Sequence, residues 1–452
     1  MTTVCVVGLG RLGAPLLAVL ARQGFDAYGV DLDPQTVAKV EAGIAPVREP
    51  GLQALLTAHG DRIHATSDWR VAIDASDVTY LLVPTPSGLD GGFKNDHLLE
   101  AIEEIGRVLK TKRGYHLIVV SSTVMPGSIG GPLRERLETI SGKRVGADLG
   151  LCYNPEFVAL GNVIDGLLRP DFVLIGESDA QAGAMLEGLS RRIVGDTVPV
   201  ARMNFVNAEL TKIAVNTYIT MKISFANSLS EICDNLVGGD VDVVTRALGK
   251  DARIGGKYLR GATGYGGPCF PRDTVAFARL ARGAGTEADL ALAAHAINER
   301  QVRRVAAIVT QHTSPGDRVA VLGLAYKPDT PVTEQAQGIL LAAALGIAGR
   351  RVIVHDPLGL DAARSVLGSG IEFAASAADA VAAADAIAVM IPAAEYVAFF
   401  AGWSGAGRAR LVVDCWRILD PARCPESLRI IQLGRAHDLA GDDGAVVRTS
   451  AR

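Results

Sequence analysis

The sequence predicts an α/β protein: two Rossmann-like, doubly wound sheets joined by a central helical dimerisation domain that contains one long helix. Three observations predict it. Short apolar runs alternate with helical patterns through the first half, as buried parallel strands and their crossover helices do. From Asn207 to about Leu236 no proline or glycine interrupts a helical period. Beyond Ser314-Pro315-Gly316-Asp317, a turn signal, the alternation resumes.

In the first region Thr3–Val7, Ala27–Asp31, Val78–Val83, His116–Ser121 and Phe172–Ile175 read as strands, with helices over Ala14–Arg22 and Leu98–Leu109. In the central region Leu210, Ile213, Ala214, Met221 and Phe225 share one helical face, and Ile219 and Ile223 lie roughly opposite. A helix apolar on two sides is expected between two bodies, as a domain connector or a dimer spine. A glycine-dense segment, Gly255–Gly267, follows, and then a helical stretch to about Thr310. In the last region Val319–Leu322, Arg351–Val354, Ala386–Ile391 and Leu411–Val413 read as strands. The expected domains are 1–200, 201–313 and 314–436, with a polar tail over 437–452.

Composition excludes several classes. Of 452 residues, 49% are hydrophobic and 21% charged, a globular balance. A formal net charge of −4 offers no basic stripe for nucleic acid. The longest apolar run, around Ile339–Ala348, is too short to span a membrane. Thr3–Gly8 reads as a strand entering a glycine turn, not as a leader. Six cysteines without a CxxC pair, and histidines without ligand spacing, predict neither a disulfide framework nor a metal site. A cytoplasmic enzyme is the expectation.

Gly8-Leu9-Gly10-Arg11-Leu12-Gly13 follows a strand and opens a helix. Glycines there permit a tight turn and close approach of a pyrophosphate, which the helix N-terminus then stabilises. An ordinary glycine turn is the alternative. The next strand ends Tyr28-Gly29-Val30-Asp31, a carboxylate placed to bind a ribose diol and to repel a 2′-phosphate, which favours NAD over NADP. The last region lacks this fingerprint, so a second dinucleotide is not expected there, while its sheet edge suits a nucleotide-like ligand.

Gly264-Tyr265-Gly266-Gly267-Pro268-Cys269-Phe270-Pro271-Arg272-Asp273 is the most informative stretch. Cys269 lies in a loop whose glycines let a ligand approach. Cys5, Cys152, Cys233 and Cys415 fall in strands or a helix, where thiols are buried and inert. A nucleophilic thiol beside a dinucleotide can capture an aldehyde, so that a second hydride can leave. Lys212 and Asn216 share a helical face. An ammonium with Ile219 and Ile223 as neighbours needs a partner or a chemical role, unless its side chain reaches solvent. Asn154-Pro155-Glu156-Phe157, Val83-Pro84-Thr85-Pro86 and Ser121-Ser122-Thr123-Val124 lie at strand ends, where each is otherwise a turn or a cap.

Together these stretches resemble the UDP-glucose/GDP-mannose dehydrogenase family of nucleotide-sugar 6-dehydrogenases over about residues 3–420. Further stretches that carry the resemblance are Glu49-Pro50-Gly51-Leu52, Arg253-Ile254-Gly255 and Gly323-Leu324-Ala325-Tyr326-Lys327-Pro328-Asp329-Thr330. The resemblance implies oxidation of a sugar C6 alcohol to a carboxylate by two NAD molecules in succession. It implies Cys269 as the nucleophile, through a thiohemiacetal and a thioester. Lys212 and Asn216 would stabilise oxyanion charge, and Asp273, Glu156 and Thr123 would handle the proton and the water. NAD would meet Gly8, Gly10, Leu12, Gly13, Asp31, Thr85, Pro86 and Thr123. The sugar nucleotide would meet Glu156, Phe157, Lys212, Asn216, Tyr258, Leu259, Tyr265, Gly266 and Lys327. Arg253 would reach the substrate of a neighbouring subunit, which implies a homodimer or larger assembly around the long helix.

Three positions depart from the family pattern. Leu160 stands where a carboxylate is usual after NPEF. Pro331-Val332-Thr333-Glu334-Gln335-Ala336 replaces an acidic pair followed by Arg-Glu-Ser, and Asp414-Cys415-Trp416, with Arg417 next, replaces Asp-Gly-Arg. The catalytic set is intact and the recognition rim is altered. That predicts the same reaction on UDP-glucose or dTDP-glucose, with GDP-mannose or a UDP-N-acetylhexosamine as alternatives. A two-electron β-hydroxyacid dehydrogenase shares the glycine turn and the Lys-x-x-x-Asn pair but gives Cys269 no role. A non-catalytic NAD-binding regulator has no need of Cys269, Asp273, Lys212 and Glu156 together.

Overall fold

β1 (Thr3–Val7) pairs with β2 (Asp26–Val30) on one side and β4 (Val78–Leu81) on the other, so that Val4 faces both Ala27 and Val78. A central strand of this kind is covered on both faces, which is why its sequence is continuously apolar rather than alternating. The computed structural model describes residues 2–405 and 407–436. The sheet is completed by β3 (Ile63–Thr66), β5 (His116–Val120), β6 (Leu149–Tyr153), β7 (Val173–Glu177) and β8 (Val200–Met203), in the order β3-β2-β1-β4-β5-β6-β7-β8. Only the β6–β7 pair is antiparallel in this sheet. Strand order reverses between β1 and β4, and an open α/β sheet binds its ligand at such a switch point, beyond the carboxyl ends of the strands.

Two buried carboxylates tie distant connections to this sheet. Glu49 accepts the Gly161 and Val163 N–H groups at 3.1 and 2.6 Å and so satisfies the start of the helix Val163–Leu168. Glu209 accepts those of Gly127 and Ile129 at 2.6 and 2.7 Å, although burial still pushes its carboxyl above the usual range.

The second sheet comprises β9 (Arg318–Leu322), β10 (Arg351–His355), β11 (Glu372–Phe373), β12 (Ala386–Val389), β13 (Leu411–Asp414) and β14 (Arg429–Gln432). Its order, β11-β10-β9-β12-β13-β14, repeats that of the first six strands, and every pair is parallel. The likeness extends to the turn after its first strand. A Cβ on Gly13 would meet the Gly8 carbonyl oxygen at 1.7 Å, and one on Gly338 would meet that of Gly323 at 1.8 Å. The contact between the first and last glycines of the fingerprint is therefore repeated in the last region, although residues 324–337 stand between these two glycines where the first sheet has residues 9–12.

The long helix runs Phe205–Asp234, two residues earlier at each end than its periodicity suggests. Ile213 is buried, whereas Leu210 and Phe225 of the same predicted face are exposed, together with Tyr218 and Ile232. By packing, the described residues form two units. One contains the residues to Thr217 with Arg272–Ala288, and the other contains Tyr218–Pro271 with the residues from Asp289 onward. No helix among the described residues is long and apolar enough to cross a membrane.

Candidate active site

The turn after β1 shows which glycines serve the chain and which leave room. Gly8 has φ +90°, and a Cβ there would lie 2.4 Å from the Leu82 carbonyl oxygen. Gly8 and Gly13 are thus required by close backbone contacts. Gly10 differs, since a Cβ there would meet nothing within 4 Å. Its missing side chain leaves an open cradle over the start of the helix Gly13–Arg22, whose N-cap, Leu12, supplies no side-chain acceptor to the first N–H groups. A pyrophosphate fits both features. Asp31 accepts the Leu9 N–H at 2.7 Å and the Asp33 N–H at 2.9 Å, which holds the turn and leaves lone pairs for a ribose diol. Across the switch point, the buried Thr85 hydroxyl donates to the Thr123 carbonyl at 2.7 Å, with Pro86 exposed beside it.

Four polar residues of the same unit meet in two pairs. Lys212 is buried, and its ammonium donates to the Glu156 carbonyl oxygen at 2.6 Å while lying 4.6 Å from the centre of the Phe157 ring. It does not extend to solvent. Burial pushes the Glu156 carboxyl up to about 7, against the opposing pull of the Lys212 charge. One turn on, Asn216 donates its amide to Asp273 at 2.6 Å. Asp273 is 1% exposed, and its other oxygen faces Arg272 at 3.3 Å.

Arg272 is the residue that sequence reasoning passed over. Its guanidinium also donates to the Thr85 carbonyl at 3.1 Å and lies 4.4 Å from the centre of the Phe93 ring, linking the Thr85 loop to the Asp273–Asn216 pair. The available signal was electrostatic: a buried carboxylate calls for a cation, and Arg272 was the nearest in the chain.

In the other unit, Cys269 is exposed and immediately precedes the helix Phe270–Gly283. Cys5, Cys152, Cys233 and Cys415 are buried, and burial pushes the Cys5 thiol up to about 12. Tyr258, at φ +62°, and Tyr265 each set a ring edge-on to Phe270, at 6.1 and 6.2 Å between centroids, and Leu259 is buried. The glycine loop approaches its own chain rather than leaving room for a ligand. A Cβ on Gly266 would lie 2.4 Å from the Gln335 carbonyl oxygen, and Gly267 N–H donates to the Glu334 carbonyl at 2.8 Å. The Lys327 ammonium lies 5.9 Å from the Tyr326 ring centre. Arg253, with its side chain 88% exposed, pairs with Asp251 two residues before it.

Among the described residues, the non-glycine positions with positive φ are Tyr258, Asp329, Gln335 and Arg417. All four fall in segments that the sequence associates with the sugar nucleotide or its rim. Backbone held in a sparsely populated region points to function.

Comparison with known proteins agrees with this layout. Residues 2–194 match the NAD binding domain of the UDP-glucose/GDP-mannose dehydrogenase family, residues 206–300 its central domain, and residues 320–421 its UDP binding domain. The chain is 37% identical over 418 residues to UDP-glucose 6-dehydrogenase AglM of Haloferax volcanii, covering 92% of this chain and 96% of that protein. It is 32% identical over 360 residues to GDP-mannose 6-dehydrogenase of Pseudomonas putida, covering 78% and 80%. A solved UDP-glucose dehydrogenase from Pyrobaculum islandicum superposes with a TM-score of 0.88 at 29% identity, covering 96% of this chain and 98% of that one. The chain belongs to the UDP-glucose/GDP-mannose dehydrogenase family and is an NAD-dependent nucleotide-sugar 6-dehydrogenase.

Proposed function

We propose that the substrate is a nucleoside-diphosphate glucose, UDP-glucose or dTDP-glucose, oxidised at C6 to the glucuronate through a covalent adduct on Cys269. The observation that carries this reading is the Glu156–Lys212 pair: a carboxyl that titrates near neutrality beside a buried ammonium. A base for the C6 hydroxyl must be ionised at working pH and still hold a proton well, and a carboxyl raised to about 7 meets both demands. Bound NAD supplies the hydride acceptor for each of the two oxidations.

In the first oxidation Glu156 takes the hydroxyl proton as the hydride leaves C6, giving an aldehyde. The Cys269 sulfur then forms a bond to that carbon, and the oxygen carries the charge of the thiohemiacetal. Lys212 and an Asn216 N–H stabilise this oxyanion. Departure of the second hydride leaves a thioester on Cys269. Once Glu156 has released the first proton to solvent, water gives its own proton to that carboxylate, adds to the thioester carbon and breaks the C–S bond, which returns the thiolate with the uronate. Asp273 has both oxygens engaged and almost no exposure, so its part is to orient Asn216, with Thr123 on the cofactor side.

The unpartnered apolar stripe of the long helix supports a homodimer. Tyr218, Phe225 and Ile232 are seven residues apart and exposed, the spacing of a helix seam. Arg253, exposed in the single chain, suits a role in a neighbouring subunit's site. An exposed nucleophilic thiol suits a reducing compartment, the cytoplasm. The relatives support UDP-glucose over other sugars, while Leu160, Glu334 and Trp416 leave dTDP-glucose in contention. The test is NAD reduction across UDP-glucose, dTDP-glucose, GDP-mannose and UDP-N-acetylmannosamine. The highest kcat/KM is expected for one of the first two, and activity confined to either of the others contradicts the proposal.

A further inference from the structure

The C-terminal edge of the second sheet presents an aromatic–cation pair that the chemistry at C6 does not use. Trp416 follows β13, and its indole reaches back across the neighbouring strand: Nε1 donates to the carbonyl of Met390, just past β12, at 2.7 Å. β12 borders β9 at the point where strand order reverses, so the indole is drawn toward the crevice where this kind of sheet takes its ligand. The Arg260 guanidinium lies over the indole, 5.3 Å from the ring centroid. Trp416 is half-buried against the core, and Arg260 is exposed. Arg260 directly follows Tyr258, one of the four strained positions, and Leu259.

Neighbouring charges show what this corner turns outward. Arg417 has φ +58°, its side chain is 1% exposed, and it donates to both oxygens of Asp242 at 2.7 and 2.9 Å. Burial alone would raise the Asp242 carboxyl, but the Arg417 hydrogen bonds, aided by the charges of Arg417 and Arg260, hold it below the usual range. Arg417 is committed inward, and Arg260 remains at the surface. The fold's customary ribose hook is closed as well. Asp356, at the end of β10, accepts the N–H groups of Leu324, Ala325, Leu358 and Gly359 at 2.7, 2.9, 2.8 and 2.6 Å. With four donors on one carboxylate and 2% exposure, no acceptor is left for ribose hydroxyls. A nucleotide at this edge has to be gripped by other means.

We propose that Arg260, held over the Trp416 ring, is a stacking platform for the base of the nucleoside diphosphate, and that the pair supplies affinity for uracil and thymine nucleotides alike. This rests on the reading of the substrate as a sugar nucleotide. A guanidinium on an indole is fixed by cation–π attraction, and its free planar face accepts a heterocycle. Arg260 makes the contact, and Trp416 is the positioning residue beneath it. Stacking is tolerant of base identity, so a platform of this kind accepts uracil and thymine alike.

The test is calorimetric binding of UDP and dTDP to the full chain and to Arg260→Ala, Trp416→Ala, Trp416→Phe and the double alanine variant, with steady-state kinetics alongside. Arg260→Ala and Trp416→Ala should each weaken both nucleotides about tenfold and raise KM to match, with kcat within about twofold, because the base is remote from C6. Trp416→Phe should retain most of the affinity, and the double variant should be no weaker than either single, since the two act as one unit. Arg260 is exposed, so its alanine variant tests the platform without disturbing the core. Unchanged UDP affinity in Arg260→Ala, a fall in kcat at constant KM, or no binding of either nucleotide to the unmodified chain overturns the inference. If nucleotide affinity falls as expected but no sugar nucleotide is oxidised by the unmodified chain, the platform stands and the proposed reaction falls.

Discussion

Glu156 and Asp273 are both carboxylates of the candidate site, and on their different surroundings we propose different work for them. Glu156 is raised to about 7, so in the folded state it keeps a proton that the unfolded chain releases near the ordinary value of 4.5. Between those values the folded form binds more protons, and its stability falls as pH rises through that window. Glu156→Gln removes this slope. Denaturant unfolding across pH 4.5 to 7 should show a steeper loss in the unmodified chain than in the variant, which retains the contributions of other shifted groups such as Glu209. The same variant should lose the limb of kcat that rises through pH near 7, at a cost of roughly 10²–10⁴-fold in rate. Asp273 is clamped between Asn216 and Arg272. Asp273→Ala should lower kcat about 10²-fold by releasing Asn216, with the shape of the pH profile retained. A changed profile with Asp273→Ala would return the proton to that residue. The motif residues were legible in the sequence, but this division of labour was not, because it depends on burial and on Arg272, which pattern alone does not weigh.

At the scale of elements, strands that are apolar on both faces were readable to within a residue or two, as β1, β5 and β10 show. β11, with two residues, and β8, partly exposed throughout, lack an apolar run and carry no signal of that kind. The repeated contact between Gly323 and Gly338 was invisible for a related reason: a motif defined by fixed spacing is lost when a loop is inserted, although the backbone contact that requires glycine survives. The glycine loop before Cys269 was legible as a motif, yet its cause lies in the chain itself. Gly266→Ala puts a Cβ against the Gln335 carbonyl, and should destabilise the chain by about 1–3 kcal/mol, seen as a lowered Tm. A Tm equal to that of the unmodified chain would show that the loop can shift away from residues 335–336.

For the whole molecule, the long helix is the element whose sequence promised more burial than one chain provides. Two apolar faces were evident from the period, and the structure buries Ile213 of the first but leaves its Phe225 uncovered in a stripe with Tyr218 and Ile232. A second copy is the expected cover, so Phe225→Glu should convert a dimer to a monomer in sedimentation and, by withdrawing Arg253 from its neighbour's site, reduce activity. A monomeric unmodified chain with full activity would contradict this. The central claim, however, is the covalent four-electron route, and the most direct measurement is the number of NADH formed per sugar nucleotide consumed, taken for the unmodified chain and for Cys269→Ala. Two NADH and one uronate per sugar, with acid formation abolished in Cys269→Ala and at most slow release of aldehyde, is the predicted outcome. One NADH per sugar, or undiminished uronate from Cys269→Ala, would contradict it.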